Sequence, residues 1–231
     1  MKQTAFALAI AVTALGAISA QASTITDGFT FSVATSGTGT GVGSHFHSST
    51  GGDFGNPSGK AEVGAFSSED VRGLSEYNLT GLATSATAFV TFGVYQLAGL
   101  FSGVNDFLYG GTITVDAYLG NNLENISDFQ AASIGTIGTF STSGLSVGDT
   151  LSFSIASIYN SAIGSSASSL GIRLSANSRD GGAVTFDNFR LTTDDQSTNN
   201  TNVVPLMGAL PLTLSGLAAL GLVRRRKRAA A

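Results

Sequence analysis

Through the middle of the chain apolar and polar residues alternate with a period of two. Ala88, Val90, Phe92 and Val94 fall on one face of an extended segment, with Phe89, Thr91 and Tyr95 on the other. Ile113, Val115, Ala117 and Leu119 repeat the pattern, as do Leu151, Phe153 and Ile155, and Leu170, Ile172 and Leu174. Further strands are expected to begin near Phe29, Ala61, Leu74 and Ile134. About eight to ten strands joined by Gly-, Ser- and Asn-rich turns predict an all-β fold, a two-sheet sandwich or jelly roll. In the last strand Val184 and Phe186 share a parity that Phe189 and Leu191 break, which predicts a β-bulge at Asp187-Asn188. Helical signal is confined to Ser127-Asp128-Phe129-Gln130, read as a capping box opening one short turn. Ser36 to Gly59 reads as a long loop.

The two ends follow a different pattern. Residues 1–22 combine Lys2, an apolar run from Ala5 to about Ile18 and the small-residue site Ala20-Gln21-Ala22, the arrangement of a secretory signal peptide cleaved before Ser23. No charged residue occurs from Val203 to Val223, a run of about 31 Å as a helix, enough to cross a bilayer core of about 30 Å. Arg224, Arg225, Arg226, Lys227 and Arg228 follow at once and are expected to stay in the cytoplasm. The expected organisation is therefore signal peptide 1–22, β-sandwich ectodomain 23–191, polar linker 192–202, transmembrane helix 203–223 and basic tail 224–231. Localisation is expected to be a single-pass inner-membrane precursor, then the cell surface or extracellular space.

The tail begins Val204-Pro205-Leu206-Met207-Gly208 and continues through Leu217-Ala218-Ala219-Leu220-Gly221-Leu222-Val223 into the arginines. It resembles the VPLPA-CTERM signals of Gram-negative bacteria, relatives of the PEP-CTERM tails, over about 30 residues, with Met207 and Gly208 where that family has Pro and Ala. The resemblance implies an exosortase-type processing enzyme and the inner membrane as partners. More loosely, Arg72-Gly73-Leu74-Ser75-Glu76-Tyr77-Asn78-Leu79-Thr80-Gly81-Leu82, with the strand Phe89 to Tyr95 after it, is similar to the entry of some jelly-roll carbohydrate-binding modules, and Phe186-Asp187-Asn188-Phe189-Arg190-Leu191 to the final strand of sorting-tail surface proteins.

Charge sharpens the reading. Six of the 11 basic residues lie in the two ends, so the ectodomain keeps five against all 15 acidic residues, a net of about −10. Nucleic acid is excluded as a partner, because phosphate binding needs a basic patch. There is no cysteine, so stability rests on a core alone.

Candidate chemistry is sparse. His45 and His47 are the only imidazoles, spaced to share one face of an extended segment, with Asp53 as a third metal-ligand candidate; the simpler reading is a pair of loop residues. Glu69 and Asp70 are adjacent carboxylates, read as a solvated edge. The glycine run Gly37 to Gly43 lacks the Lys-Ser/Thr ending of a phosphate loop. The Gly-x-Ser-x-Gly spacing of a nucleophile elbow is not expected in the chain. The bulge residues Asp187 and Asn188, with Asp180 in the preceding turn, form a candidate structural calcium site of hard oxygen ligands; no other cofactor is expected. The function expected is non-enzymatic: an exported structural, adhesive or exopolysaccharide-associated protein. The alternatives are a carbohydrate-binding module with a specific glycan site, or a hydrolase of extracellular polysaccharide.

Overall fold

The computed structural model describes residues 24–25, 28–35, 43–51, 57–66, 69–100 and 106–193, and the protein is all-β across them. The strands are β1 (Thr24–Ile25), β2 (Gly28–Thr35), β3 (Gly43–His47), β4 (Ala61–Phe66), β5 (Glu69–Asn78) and β6 (Phe89–Gln96). After them come β7 (Thr112–Gly120), β8 (Ser133–Ser141), β9 (Thr150–Ser154), β10 (Ser169–Ala176) and β11 (Ala183–Thr192). All pair antiparallel in one sheet, in the order β8-β7-β10-β5-β4-β11-β6-β9.

Strand β5 organises this sheet. Along one edge it pairs with β2 from Val71 to Tyr77. Its other edge is divided, β10 taking Gly73 to Asn78 and β4 taking Glu69 to Val71. The sheet therefore parts at the middle of β5 into two limbs, and it curls until the end strands β8 and β9 approach, with the rings of Phe140 and Phe153 6.1 Å apart. The sheet is nearly closed without a hydrogen-bonded seam.

The alternation read from the sequence fills the space inside. Val90, Phe92 and Val94 of β6, Ile113, Val115 and Ala117 of β7, and Leu170, Ile172 and Leu174 of β10 are all buried in one cluster with Val184 and Phe186 of β11. Phe92 is its centre, with ring centroids 4.8 Å from Phe189, 5.3 Å from Phe186, 5.8 Å from Phe153 and 6.0 Å from Phe140. A smaller cluster, Phe31, Val33, Leu74, Tyr118 and Phe129, lies on the opposite face of β2, β5 and β7. Residues 121–132 cross that face as a strap.

Several expectations need correction. The stretch from Ser36 to Gly59 contains β3, paired with β2 from Ser32↔His47 to Thr35↔Gly43, so both histidines stand on a strand. Ile155 is not a strand residue but the N-cap of helix α1 (Ala156–Gly164), where Ile155, Tyr159 and Ala162 are buried. Leu119 continues the inward parity of β7 yet is 45% exposed, because the strand runs past the end of the core. The short helical turn exists as a 3-10 turn, Ile126–Gln130, but its capping box starts at Asn125, not Ser127: Asn125 accepts from Ser127 N, and Asp128 accepts from Asn125 N. Thr192, taken as the first linker residue, is buried and completes β11.

The first and last strands meet. Thr24 pairs with Thr192 and Ile25 with Leu191, so the two ends of the described residues lie side by side. The signal-peptide residues Ala20, Ala22 and Ser23, the sorting motif Val204 to Gly208 and the basic cluster Arg224 to Arg228 lie outside the described residues. Among the described residues no helix is long and apolar enough to cross a membrane.

Candidate functional site

The bulge expected at Asp187-Asn188 is present. Asp187 pairs with Gly93 and Arg190 with Thr91, leaving Asn188 and Phe189 together opposite Phe92. The extra residue returns Leu191 to the interior after the switch, as the sequence parity requires. Asn188 takes a left-handed backbone, φ 51°, a conformation asparagine tolerates better than most residues.

The bulge carries charge outward. Asp187 Oδ2 accepts from Lys60 Nζ at 2.7 Å, and Asp187 Oδ1 accepts from the Asn188 side-chain amide at 2.9 Å. The Lys60 ammonium also lies 3.7 Å from the centroid of the Tyr95 ring, a cation–π contact from the neighbouring strand. The positive charge at the bulge is thus a side chain of the protein itself. Lys60 was not singled out in the sequence; its one signal was position, immediately before the strand start at Ala61.

Beside this pair opens a cleft of about 390 Å³, within the range of about 300–1,000 Å³ typical of small-ligand sites. Its walls are Gly28 to Thr30 of β2, Ser49, Ser58 to Lys60, and Asp187 to Phe189. The two turns that form one wall are tied together: Gly59 N donates to Ser49 O at 2.8 Å, and Ser49 N donates to Glu124 Oε2 at 3.1 Å, with the Ser49 hydroxyl on the same carboxylate.

Other residues singled out in the sequence lie elsewhere. Asp180 accepts from Ser178 Oγ at 2.6 Å in the turn before β11. Among the described residues no three His, Cys, Asp or Glu gather closely enough to hold a metal ion. His47 Nδ1 is 3.8 Å from Glu62 Oε2, a buried carboxylate that also accepts from Leu100 N; Asp53 and the run Ser36 to Val42 lie outside the described residues. Glu69 and Asp70 open β5, with Asp70 3.9 Å from the Arg72 guanidinium. The spacing Gly-x-Ser-x-Gly does occur once, at Gly144-Leu145-Ser146-Val147-Gly148, against expectation. It forms the turn between β8 and β9, with Ser146 N on Asp149 Oδ2 at 2.8 Å and no helix after it, so it is not a nucleophile elbow.

The Arg72-to-Glu76 stretch has a structural task. Both side chains rise from β5 under the strap. Arg72 donates to Phe129 O at 2.5 Å and stacks on the Phe129 ring at 3.9 Å. Arg173 of β10 donates to the carbonyls of Asp128, Phe129 and Ala131, placing a cation at the C-terminal end of the 3-10 turn. Glu76 Oε2 accepts from Asn122 N and Ser169 Oγ, each at 2.8 Å. Two glycines make the room: a Cβ at Gly120 would lie 2.2 Å from the Glu76 carboxyl carbon, and one at Gly171 would lie 2.1 Å from the Tyr118 ring.

Burial beneath the strap raises the pKa of Glu76, against the hydrogen bonds from Ser169 and Asn122 that lower it. Burial, then the negative charge of Glu76, pushes Asp128 up to about 6 from an ordinary 3.8. The folded protein therefore holds a proton on Asp128 that the unfolded chain releases near pH 4, so this stability is present below pH 4 and lost as pH rises through about 6. Asp128→Asn keeps an acceptor for the capping box and removes the titration. The variant is expected to match the wild type near pH 4 and to exceed it at pH 7 by on the order of 1–3 kcal/mol in urea unfolding. A difference that does not change with pH would contradict the assignment.

Comparison with family models and with curated proteins finds no match to this chain.

Proposed function

We propose that the chain is an exported surface protein: a cleaved signal peptide, a β-domain of the two-sheet sandwich or jelly-roll kind, and a carboxy-terminal sorting signal read by an exosortase-type enzyme at the inner membrane. Its role is non-catalytic, in surface structure, adhesion or exopolysaccharide contact, and needs neither cofactor nor nucleic acid. The observation that carries this reading is the pairing of β1 with β11. Among the described residues the first strand starts at Thr24, just after the expected cleavage point, and pairs with the last at Thr192, so the described unit closes on itself. Such a unit tolerates removal of both ends. The division of β5 between β4 and β10, with the two limbs enclosing one core, supports the sandwich reading. The cleft beside the bulge favours the carbohydrate-binding alternative as the second reading.

The test is removal of residues 203–231 in a bacterial host that carries an exosortase. The truncated protein is expected to cross the inner membrane, to leave the cell-surface fraction for the periplasm or medium, and to give a strand-dominated circular dichroism spectrum. Unchanged surface retention, or a disordered spectrum, would overturn the proposal.

A further inference from the structure

We infer that the cleft beside the β11 bulge is a binding site for an uncharged sugar chain, with Lys60, Asp187 and Asn188 as its polar contacts. The inference rests on the extracellular reading only for the choice of ligands to try.

Charge decides against the other ligand classes. Lys60 is the one cation among the lining residues and Asp187 the one anion, and at 2.7 Å they cancel. Of the five basic residues between the two ends, Arg72 and Arg173 are also committed inward, to the strap. A polyanion would meet a domain of net charge about −10, and the one cation lining the cleft is already held by Asp187. A metal ion would find a single carboxylate already held by an ammonium. An apolar ligand would strip water from the pair and from Asn188 without replacing its hydrogen bonds.

An uncharged polyol meets none of these obstacles. Sugar hydroxyls both donate and accept, and the cleft offers both functions. The Lys60 ammonium has three N–H donors and spends one on Asp187; the Asp187 carboxylate has lone pairs beyond those taken by Lys60 and Asn188. Asn188, exposed on its left-handed backbone, has an amide oxygen to accept with. The groups are also pre-set, Lys60 by Asp187 and the Tyr95 ring, Ser49 by Glu124, which lowers the ordering cost of binding.

The experiment is native affinity electrophoresis of the full chain in a non-sugar detergent. Gels contain either an uncharged chain (mixed-linkage β-glucan, galactomannan or dextran) or a polyanion (alginate or polygalacturonate). Migration is expected to be retarded by at least one uncharged chain and by neither polyanion. Asn188→Gly, which suits the positive φ and preserves the bulge, should weaken the retardation about five- to tenfold in apparent dissociation constant. Lys60→Met should abolish it. Absence of retardation by every uncharged chain, retardation by polyanions alone, or binding that Asn188→Gly leaves unchanged would overturn the inference. A protein that binds sugar but never reaches the surface refutes the export proposal alone; one that reaches the surface and ignores all the sugars refutes this inference alone.

Discussion

Phe92→Ala is expected to cost about 3–5 kcal/mol, lowering the urea midpoint of the domain by about 1 M or more. Four other phenylalanine rings from β8, β9 and β11 lie within 6.0 Å of its centroid, and they come from strands that no backbone hydrogen bond joins across the gap between β8 and β9. Truncation leaves a cavity where the nearly closed sheet depends on side-chain packing. Val147→Ala, at a residue 64% exposed in the turn between β8 and β9, should change stability by no more than about 0.5 kcal/mol. A Phe92→Ala cost below about 1 kcal/mol would mean that β6 does not face the core.

Arg173→Ala should cost a similar amount by a different route. The residue is 6% exposed, and one guanidinium nitrogen donates to three strap carbonyls. Removing it withdraws a donor from all three carbonyls, leaving Phe129 O to Arg72 and Asp128 O to Ala131 N, and takes a cation away from Asp128, a loss of about 3–5 kcal/mol for a broken buried charge network. Arg173→Lys should recover only part of it, because an ammonium cannot reproduce the planar fork. The loss should also be local. Chymotrypsin is expected to cut the Arg173→Ala protein first within residues 121–132, after Leu123 or Phe129, while the wild-type strap resists. Equal resistance of the two straps would contradict the role given to Arg173.

Much of the fold is legible in the sequence where one physical signal acts alone. The alternation in β6, β7 and β10 reports burial on one face, and the parity switch at Asp187-Asn188 reports the bulge, because a single extra residue must exchange the two faces. The reading fails where two signals compete. Ile155, Tyr159 and Ala162 carry helical spacing, but Leu151, Phe153 and Ile155 carry strand spacing into the same residues, and Ile155 belongs to both. Strand β3 is hidden because a glycine-rich stretch has no apolar alternation to show; it is the backbone pairing with β2 that reveals it.

The candidate site is half legible for the same reason. Asp187 and Asn188 are visible as polar residues at a parity break, whereas Lys60 is brought to them across 127 positions of sequence, a contact that no local pattern encodes. The strap cluster shows the limit from the other side. Arg72 and Glu76 are four apart on one strand, so they share a face, but that face is covered by residues 121–132, and nothing near Arg72 announces the cover. Gly120 and Gly171 were the available hint, since glycine inside a strand marks a place where a neighbouring group comes close.

Intact mass spectrometry of the chain recovered from the bacterial cell envelope tests the export proposal most directly. Cleavage by signal peptidase predicts a mature amino terminus at Ser23, and exosortase-type processing predicts loss of the segment from the Val204-Pro205-Leu206 region to Ala231. A protein recovered from the cytosol with Met1 and Ala231 both in place would contradict it.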